Sequence, residues 1–291
     1  MNMKLFVSDL DGTLLNSDHE LPEHSKDTLK RAMAMNIPVC IATGRSYRDI
    51  LQIFSDFEEK PYIISSNGAS LYDTNGDKLH GVSIPNEQVK EVITYLKAHK
   101  LQFEVSDDEH TYVTEWGIDL LKKELEDVGA TDQTKKEELK NDVLGIVMSQ
   151  GNLKIVSSIE EILERISGAN SISSISAYLN KIHKAMAYFT MDKRIRTFSS
   201  WKYNFEMTNR ATSKGIALKV LCKKLNVDLE DVVSVGDNYN DLSMLKISGY
   251  KVAMENAVPN VKSLADKVIK SNDEQGVAEL LNSLLDDLER Q

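Results

Sequence analysis

The chain has 291 residues, 41% hydrophobic and 27% charged, the composition of an ordinary globular protein. Its formal net charge of −10 argues against nonspecific nucleic-acid binding, so an anionic ligand would have to be held locally by cations and amides. No apolar run approaches the roughly 18 residues of a membrane helix, and the early first strand leaves no room for a signal peptide, so a cytoplasmic location is expected.

In chain order, Leu5-Phe6-Val7 reads as a short buried parallel strand, running into Asp9, Asp11 and Gly12-Thr13. Ser25 to Ala34 is expected to be a helix capped near Ser25. Residues 37–43 form a second buried strand, entering Gly44-Arg45, and Tyr47 to about Phe57 has helical periodicity. Tyr62 to Ser66 is a third strand, ending at Asn67-Gly68-Ala69, and Leu71 to Ile84 reads as a hairpin turning at Asn75-Gly76. This alternation of strand and helix is the α/β signature.

From Pro85 the texture becomes α+β. A helix around Val89 to Leu96 precedes strands at 103–105 and 111–114 and a charged helical region from Ile118 to about Leu139. Leu144 to Met148 is expected to be a strand, Ile155 to Ile166 a helix, and Phe205 to Met207 a strand. Ser171 to Ser176 is open between strand and loop, and 168–204 reads as long and irregular. After Thr212 the α/β rhythm returns: helix 213–225, strand 231–235, short helix 242–247, strand 250–254, helix 258–265, strand 267–269 and helix 277–288. Cys40 and Cys222 sit in apolar runs and read as buried thiols.

The chemistry gathers where strands end. Asp9 and Asp11 leave the first strand beside a permissive glycine; carboxylates so placed suit a hard cation such as Mg²⁺, or a nucleophile that forms an aspartyl-phosphate. Thr43 and Gly44 end the second strand with a hydroxyl and an amide, both able to donate to phosphate oxygen. Lys214 opens a helix behind Ser213, where a cation opposes the helix dipole; that local violation suits a site residue. Asp237 and Asp241 follow another buried strand, four residues apart, and would repel without a cation.

In this order the stretches resemble the four motifs of the haloacid dehalogenase superfamily. Asp9-Leu10-Asp11-Gly12-Thr13 is similar to its DxDGT motif, Thr43-Gly44-Arg45 to its second in TGR form, Ser213-Lys214-Gly215 to its third, and Gly236 to Asp241 to GDxxND. Asn67-Gly68-Ala69 before a hairpin, Asp241 to Leu245, Val252 to Ala257, and an insertion between the second and third motifs look like the Cof-type (IIB) branch. The resemblance implies a doubly wound, mainly parallel Rossmann-like α/β core, residues 1–84 and 210–291, with an inserted α+β cap at 85–209.

It also implies a Mg²⁺-dependent phosphatase acting on small phosphorylated metabolites, sugar phosphates or phosphorylated cofactors, without nucleic-acid or membrane partners; protein partners are not indicated. Asp9 would be nucleophile and metal ligand, and Asp11 general acid/base and a ligand through its carbonyl. Asp237 would be a ligand, and Asp241 a ligand or the support of Lys214. The Leu10 backbone, Thr43, Gly44, Lys214 and Asn240 would hold phosphate, with Arg45 and Asn67 near the substrate. The cap would close over the leaving group. In it Tyr112, Glu115 and Trp116 are expected at a strand end and turn that contact substrate, with packing the alternative for the two aromatics. A phosphotransferase or mutase, and a non-catalytic regulator on the same fold, remain alternatives. Asn209-Arg210-Ala211-Thr212 departs from the family's Pro-x-Gly-x, so Arg210 is expected to reshape the site's edge.

Overall fold

The computed structural model describes residues 3–148, 152–199 and 202–290. It divides into two compact units, Met1–Gly81 with Thr212–Gln291, and Val82–Ala211. No helix of the described residues is long and apolar enough to cross a membrane.

The first unit is built on an eight-stranded sheet. Its spatial order is Lys267–Ile269, Tyr250–Met254, Val232–Gly236, Leu5–Ser8, Val39–Ala42, Tyr62–Ser65, Ser70–Tyr72 and Lys78–Gly81. The first six pair in parallel and the last two antiparallel. Leu5–Ser8, Val39–Ala42 and Val232–Gly236 are buried at every residue, which is why they read as unbroken apolar runs rather than alternating ones. From Leu5–Ser8 the chain first adds strands on one side, then returns to add Val232–Gly236 on the other. That reversal opens a crevice beyond the carboxyl ends of the central strands. Cys40 and Cys222 are free and buried, and burial holds both thiols protonated, Cys222 with a pKa pushed up to about 11.

The second unit carries a six-stranded sheet, ordered Ile195–Phe198, Asn204–Asn209, Ser171–Ile175, Gln102–Ser106, Thr111–Thr114 and Leu153–Val156. Only its last pair is parallel. Phe103, Val105, Ile172, Phe205 and Met207 pack with helices Asn86–Ala98, Ile159–Arg165 and Leu179–Thr190 in one apolar cluster. A second cluster joins Val113 and Ile175 to helix Glu115–Gly129. An isolated bridge of Ile84 to Ala169 lies in this unit, outside its named strands.

Several local expectations fail for physical reasons. Leu144 to Met148 is helical, not a strand, because Leu139, Val143 and Val147 recur every fourth residue and are buried together. The stretch 168–204 is regular: strand Ser171–Ile175, helix Leu179–Thr190 with Ile182, Ala185 and Phe189 buried, then strand Ile195–Phe198. Residues 200 and 201 of that stretch lie outside the described residues. The serines belong in the strand because neighbours satisfy them: Ser174 Oγ donates to the Gln102 carbonyl at 2.7 Å and Ser173 Oγ to Glu104 at 2.8 Å. The first helix starts at Glu23 behind Pro22, with Ser25 buried inside it rather than capping it. The second helix stops at Ile53, and Ile155 belongs to a strand, with the next helix starting at Ile159.

Candidate active site

At the end of Leu5–Ser8 the backbone stays extended at Asp9, then turns sharply through Asp11 and Gly12. Gly12 has φ 73, and a Cβ there would stand 2.7 Å from Asp237 Oδ2, so both conformation and space require glycine. Thr13 Oγ1 donates to Asp237 Oδ1 at 3.0 Å, and Asn256 Nδ2 donates to the Gly12 carbonyl at 2.7 Å. The turn after the first strand is thereby tied to the loop after Val232–Gly236.

Lys214 is the first residue of helix Lys214–Leu225, with Ser213 as N-cap accepting from Ile216 N–H at 3.2 Å. Its buried ammonium bridges Asp9 Oδ1 and Asp241 Oδ1, each at 2.6 Å. Asp241 is fully buried, and its Oδ2 accepts from the backbone N–H groups of Asp237 and Asn238, both at 2.9 Å. Both Asp241 oxygens therefore have protein donors, which makes it the anchor of Lys214 and of its own loop. Asp9, Asp237 and Asp241 bring carboxylate oxygens within 4.8 Å of one another.

One ammonium does not balance three close carboxylates. Burial, with the charges of Asp241 and Asp237, pushes the Asp9 carboxyl well above the usual range although Lys214 opposes this. Burial and then the Asp241 charge raise Asp237 to about 6. Burial opposes the charge on Lys214, yet Asp241 and Asp9 outweigh it and raise its pKa. This excess of buried oxygen charge fits a divalent cation, which carboxylates of the Asp9, Asp237 and Asp241 cluster could hold.

Asp11 points elsewhere. Arg45 grips it with a two-pronged contact, Nε to Oδ2 at 2.8 Å and Nη2 to Oδ1 at 2.5 Å. Burial would raise the Asp11 carboxyl, but the Arg45 fork and charge win and lower it. Thr43 is buried at the end of Val39–Ala42, its Oγ1 accepting from Arg45 N–H at 3.1 Å. Asn67, buried with φ 55, donates its N–H to the Thr43 carbonyl at 2.9 Å and accepts from Asn240 Nδ2 at 3.0 Å. A Cβ at Gly44 would stand 3.1 Å from Asn67 Nδ2, and one at Gly68 would overlap the Ser213 carbonyl at 2.3 Å. The segments of Asp11, residues 43–45, residues 67–68, Asn240 and Ser213 are locked together this way. The Leu10 side chain is buried in the core.

In the second unit, Glu115 and Trp116 open helix Glu115–Gly129 rather than a turn, with Thr114 Oγ1 accepting from Gly117 N–H at 3.1 Å. Glu115 is exposed. Trp116 is partly buried against the apolar cluster, with Lys97 Nζ 5.8 Å from its ring centre. Tyr112 is buried in the same cluster, its hydroxyl donating to Asp107 at 3.3 Å, so packing accounts for it. Sequence reasoning assigned no role to Thr13, Asn256 or His19. The first two lie inside quoted motifs, but nothing in the sequence links His19 to Asp11, whose Oδ1 stands 3.3 Å from its Nδ1.

The model of haloacid dehalogenase-like hydrolases matches residues 6–281. The phosphatase YwpJ of Bacillus subtilis (strain 168) is 33% identical over 285 residues, covering 97% of this chain and all of the relative. YwtE of the same organism, a 5-amino-6-(5-phospho-D-ribitylamino)uracil phosphatase, is 29% identical, with 97% of this chain and 98% of the relative covered. A solved haloacid dehalogenase-like hydrolase from B. subtilis superposes with TM-score 0.81 at 34% identity, over 96% of this chain and 99% of that one. The subclass IIB sugar phosphatase BT4131 gives TM-score 0.76 at 20% identity, over 97% and 99%, a likeness of fold alone.

Proposed function

The chain belongs to the haloacid dehalogenase-like hydrolases, and from that premise we propose that it is a Mg²⁺-dependent phosphatase acting on small phosphorylated metabolites through an aspartyl-phosphate at Asp9. The observation that carries this reading is the buried Asp9–Lys214–Asp241 relay beside Asp237, at the carboxyl end of the central strands. Asp9 and Asp237 would hold the metal, with the Asp11 carbonyl in the role the motif gives it. When bound, the ion would offset the carboxylate charge and stabilise negative charge on phosphoryl oxygen.

The chain's own groups do the rest. Asp9 attacks phosphorus in line as the bond to the leaving oxygen breaks, and Asp11, which enters this step protonated against the Arg45 fork that favours its ionised form, gives that oxygen a proton. Water then attacks the aspartyl-phosphate, passes a proton to Asp11, and frees inorganic phosphate with Asp9 restored. Lys214, Thr43, the Leu10 and Gly44 amides and Asn240 hold phosphoryl oxygens through the transfer. Lys214 arrives fixed by two carboxylates, so little reorganisation accompanies its action. Selection of the leaving group belongs in this reading to the second unit, with exposed Glu115 a better contact than packed Trp116. The name of YwtE supports a phosphorylated small molecule as substrate class.

The test is phosphate release from an aryl phosphate and from a panel of phosphorylated metabolites, with Mg²⁺ and with chelator. Asp9→Asn should abolish release while circular dichroism stays unchanged, because the amide is nearly isosteric but a poor nucleophile. Substantial turnover by that variant would sink the assignment of Asp9.

A further inference from the structure

His19 stands outside every motif, yet its Nδ1 lies 3.3 Å from Asp11 Oδ1 and 3.5 Å from Arg45 Nη2. Packing does not place it there, since its side chain is 71% exposed. The loop does. Asn16 N–H donates to the Glu20 carbonyl and His19 N–H to the Asn16 carbonyl, both at 3.0 Å. Asn16 Oδ1 accepts from Asp18 N–H at 3.1 Å and from Glu20 N–H at 2.8 Å. Ser17 donates through both N–H and Oγ to the Asp273 carboxylate, each at 2.7 Å. Within this fixed loop His19 adopts φ 61, the left-handed region that a residue with a Cβ enters at a cost. Glycine would close the same turn with less strain. What the position gains instead is an imidazole turned onto Asp11.

An ionised carboxylate offers about four acceptor sites on its two oxygens. Arg45 Nε occupies one on Oδ2 and Arg45 Nη2 one on Oδ1; in the tautomer with its proton on Nδ1, His19 fills the second on Oδ1, and the 3.5 Å approach of Arg45 Nη2 to that nitrogen is then a contact and not a hydrogen bond. One site is left, on Oδ2. We infer that His19 is a positioning residue, which together with Arg45 fixes the Asp11 carboxylate and confines its proton transfer to Oδ2. The inference rests on the proposed role of Asp11 as general acid/base. It requires no charge on His19, because a neutral ring with its proton on Nδ1 also donates, though more weakly than an imidazolium.

The experiment measures kcat/KM across substituted aryl phosphates of nearly equal size, from 4-nitrophenyl to phenyl phosphate. A good leaving group departs without much protonation, whereas phenolate needs the acid. His19→Gly should lose about tenfold on phenyl phosphate, a fraction of what general acid catalysis supplies, and less than about twofold on the nitrophenyl ester. Its thermal stability should hold or rise, because the strained backbone is relieved. His19→Asn should restore the parent dependence on leaving group. Asn tolerates the left-handed region, and its Nδ2 is attached to Cγ as the Nδ1 of histidine is. A uniform loss across the series, no loss, or an Asn variant no better than Gly overturns the inference. A parent enzyme inactive on every ester fells the phosphatase reading itself, and this inference with it; activity on 4-nitrophenyl phosphate separates the two failures.

Discussion

The charge imbalance at the carboxylate cluster has a measurable consequence for Asp237→Asn. Burial and Asp241 raise the Asp237 pKa from the ordinary 3.8 to about 6 in the folded, metal-free protein. The folded state therefore binds this proton more tightly than the unfolded chain does. The stability linked to it is fully present below pH about 4 and is lost as pH rises through about 6. Holding the ionised form from 3.8 up to about 6 costs about 3 kcal/mol at 1.36 kcal/mol per pH unit. Partial exposure of Asp237 trims this to about 2 kcal/mol. Asparagine keeps an oxygen to accept from Thr13 and removes the charge. In chelator at pH 8 the variant's core should be more stable by about 2 kcal/mol, a Tm rise of about 4–8 °C, and the advantage should vanish near pH 4. Mg²⁺ should reverse the ranking: a cation at a hundred times its Kd adds about 2.7 kcal/mol to the parent and much less to a variant short of a ligand. The assay is thermal melting from pH 4 to 8, with chelator and with Mg²⁺. Parallel melting curves for parent and variant across pH, or an unchanged response to Mg²⁺, would refute the reasoning.

Lys214→Met should cost about 3–5 kcal/mol in denaturant unfolding at neutral pH, because Asp9 and Asp241 lose their shared buried counterion; a loss under 1 kcal/mol would show the relay to be dispensable. Gly12→Ala should destabilise by about 1–3 kcal/mol through its positive φ and displace Asp237, weakening the Mg²⁺ response in the same melts; an unaltered response would mean the loop absorbs the methyl group. Trp116→Ala should destabilise the second unit by roughly 1–3 kcal/mol, since its ring is packed there, whereas Glu115→Ala should leave stability within about 0.5 kcal/mol. If Glu115 contacts the leaving group, its loss should lower kcat/KM more for a preferred metabolite than for an aryl ester; equal losses on both would remove it from the specificity surface.

The sequence by itself determined the class of the fold and which polar residues stand at the ends of its central strands. Central strands buried on both faces leave unbroken apolar runs, and what ends each run is set locally: Asp9 to Thr13, Thr43-Gly44 and Asp237 to Asp241. A glycine required by positive φ, or a serine capping the helix of Lys214, is legible for the same reason, since its cause lies within a few residues. The roles of groups far apart in the chain were not legible. Asp241 is as acidic on paper as Asp237, and only the packed structure shows both its oxygens accepting from the protein, one from Lys214 and one from two backbone amides. Arg45 reads as a substrate contact, and only the fold shows that its guanidinium also reaches Asp11. Leu144 to Met148 is apolar enough for a strand, and only the cluster it joins with Leu139 selects the helix. Each of these turns on which partner reaches a group first in space, and a carboxylate or a short apolar run has the same composition whichever partner it meets.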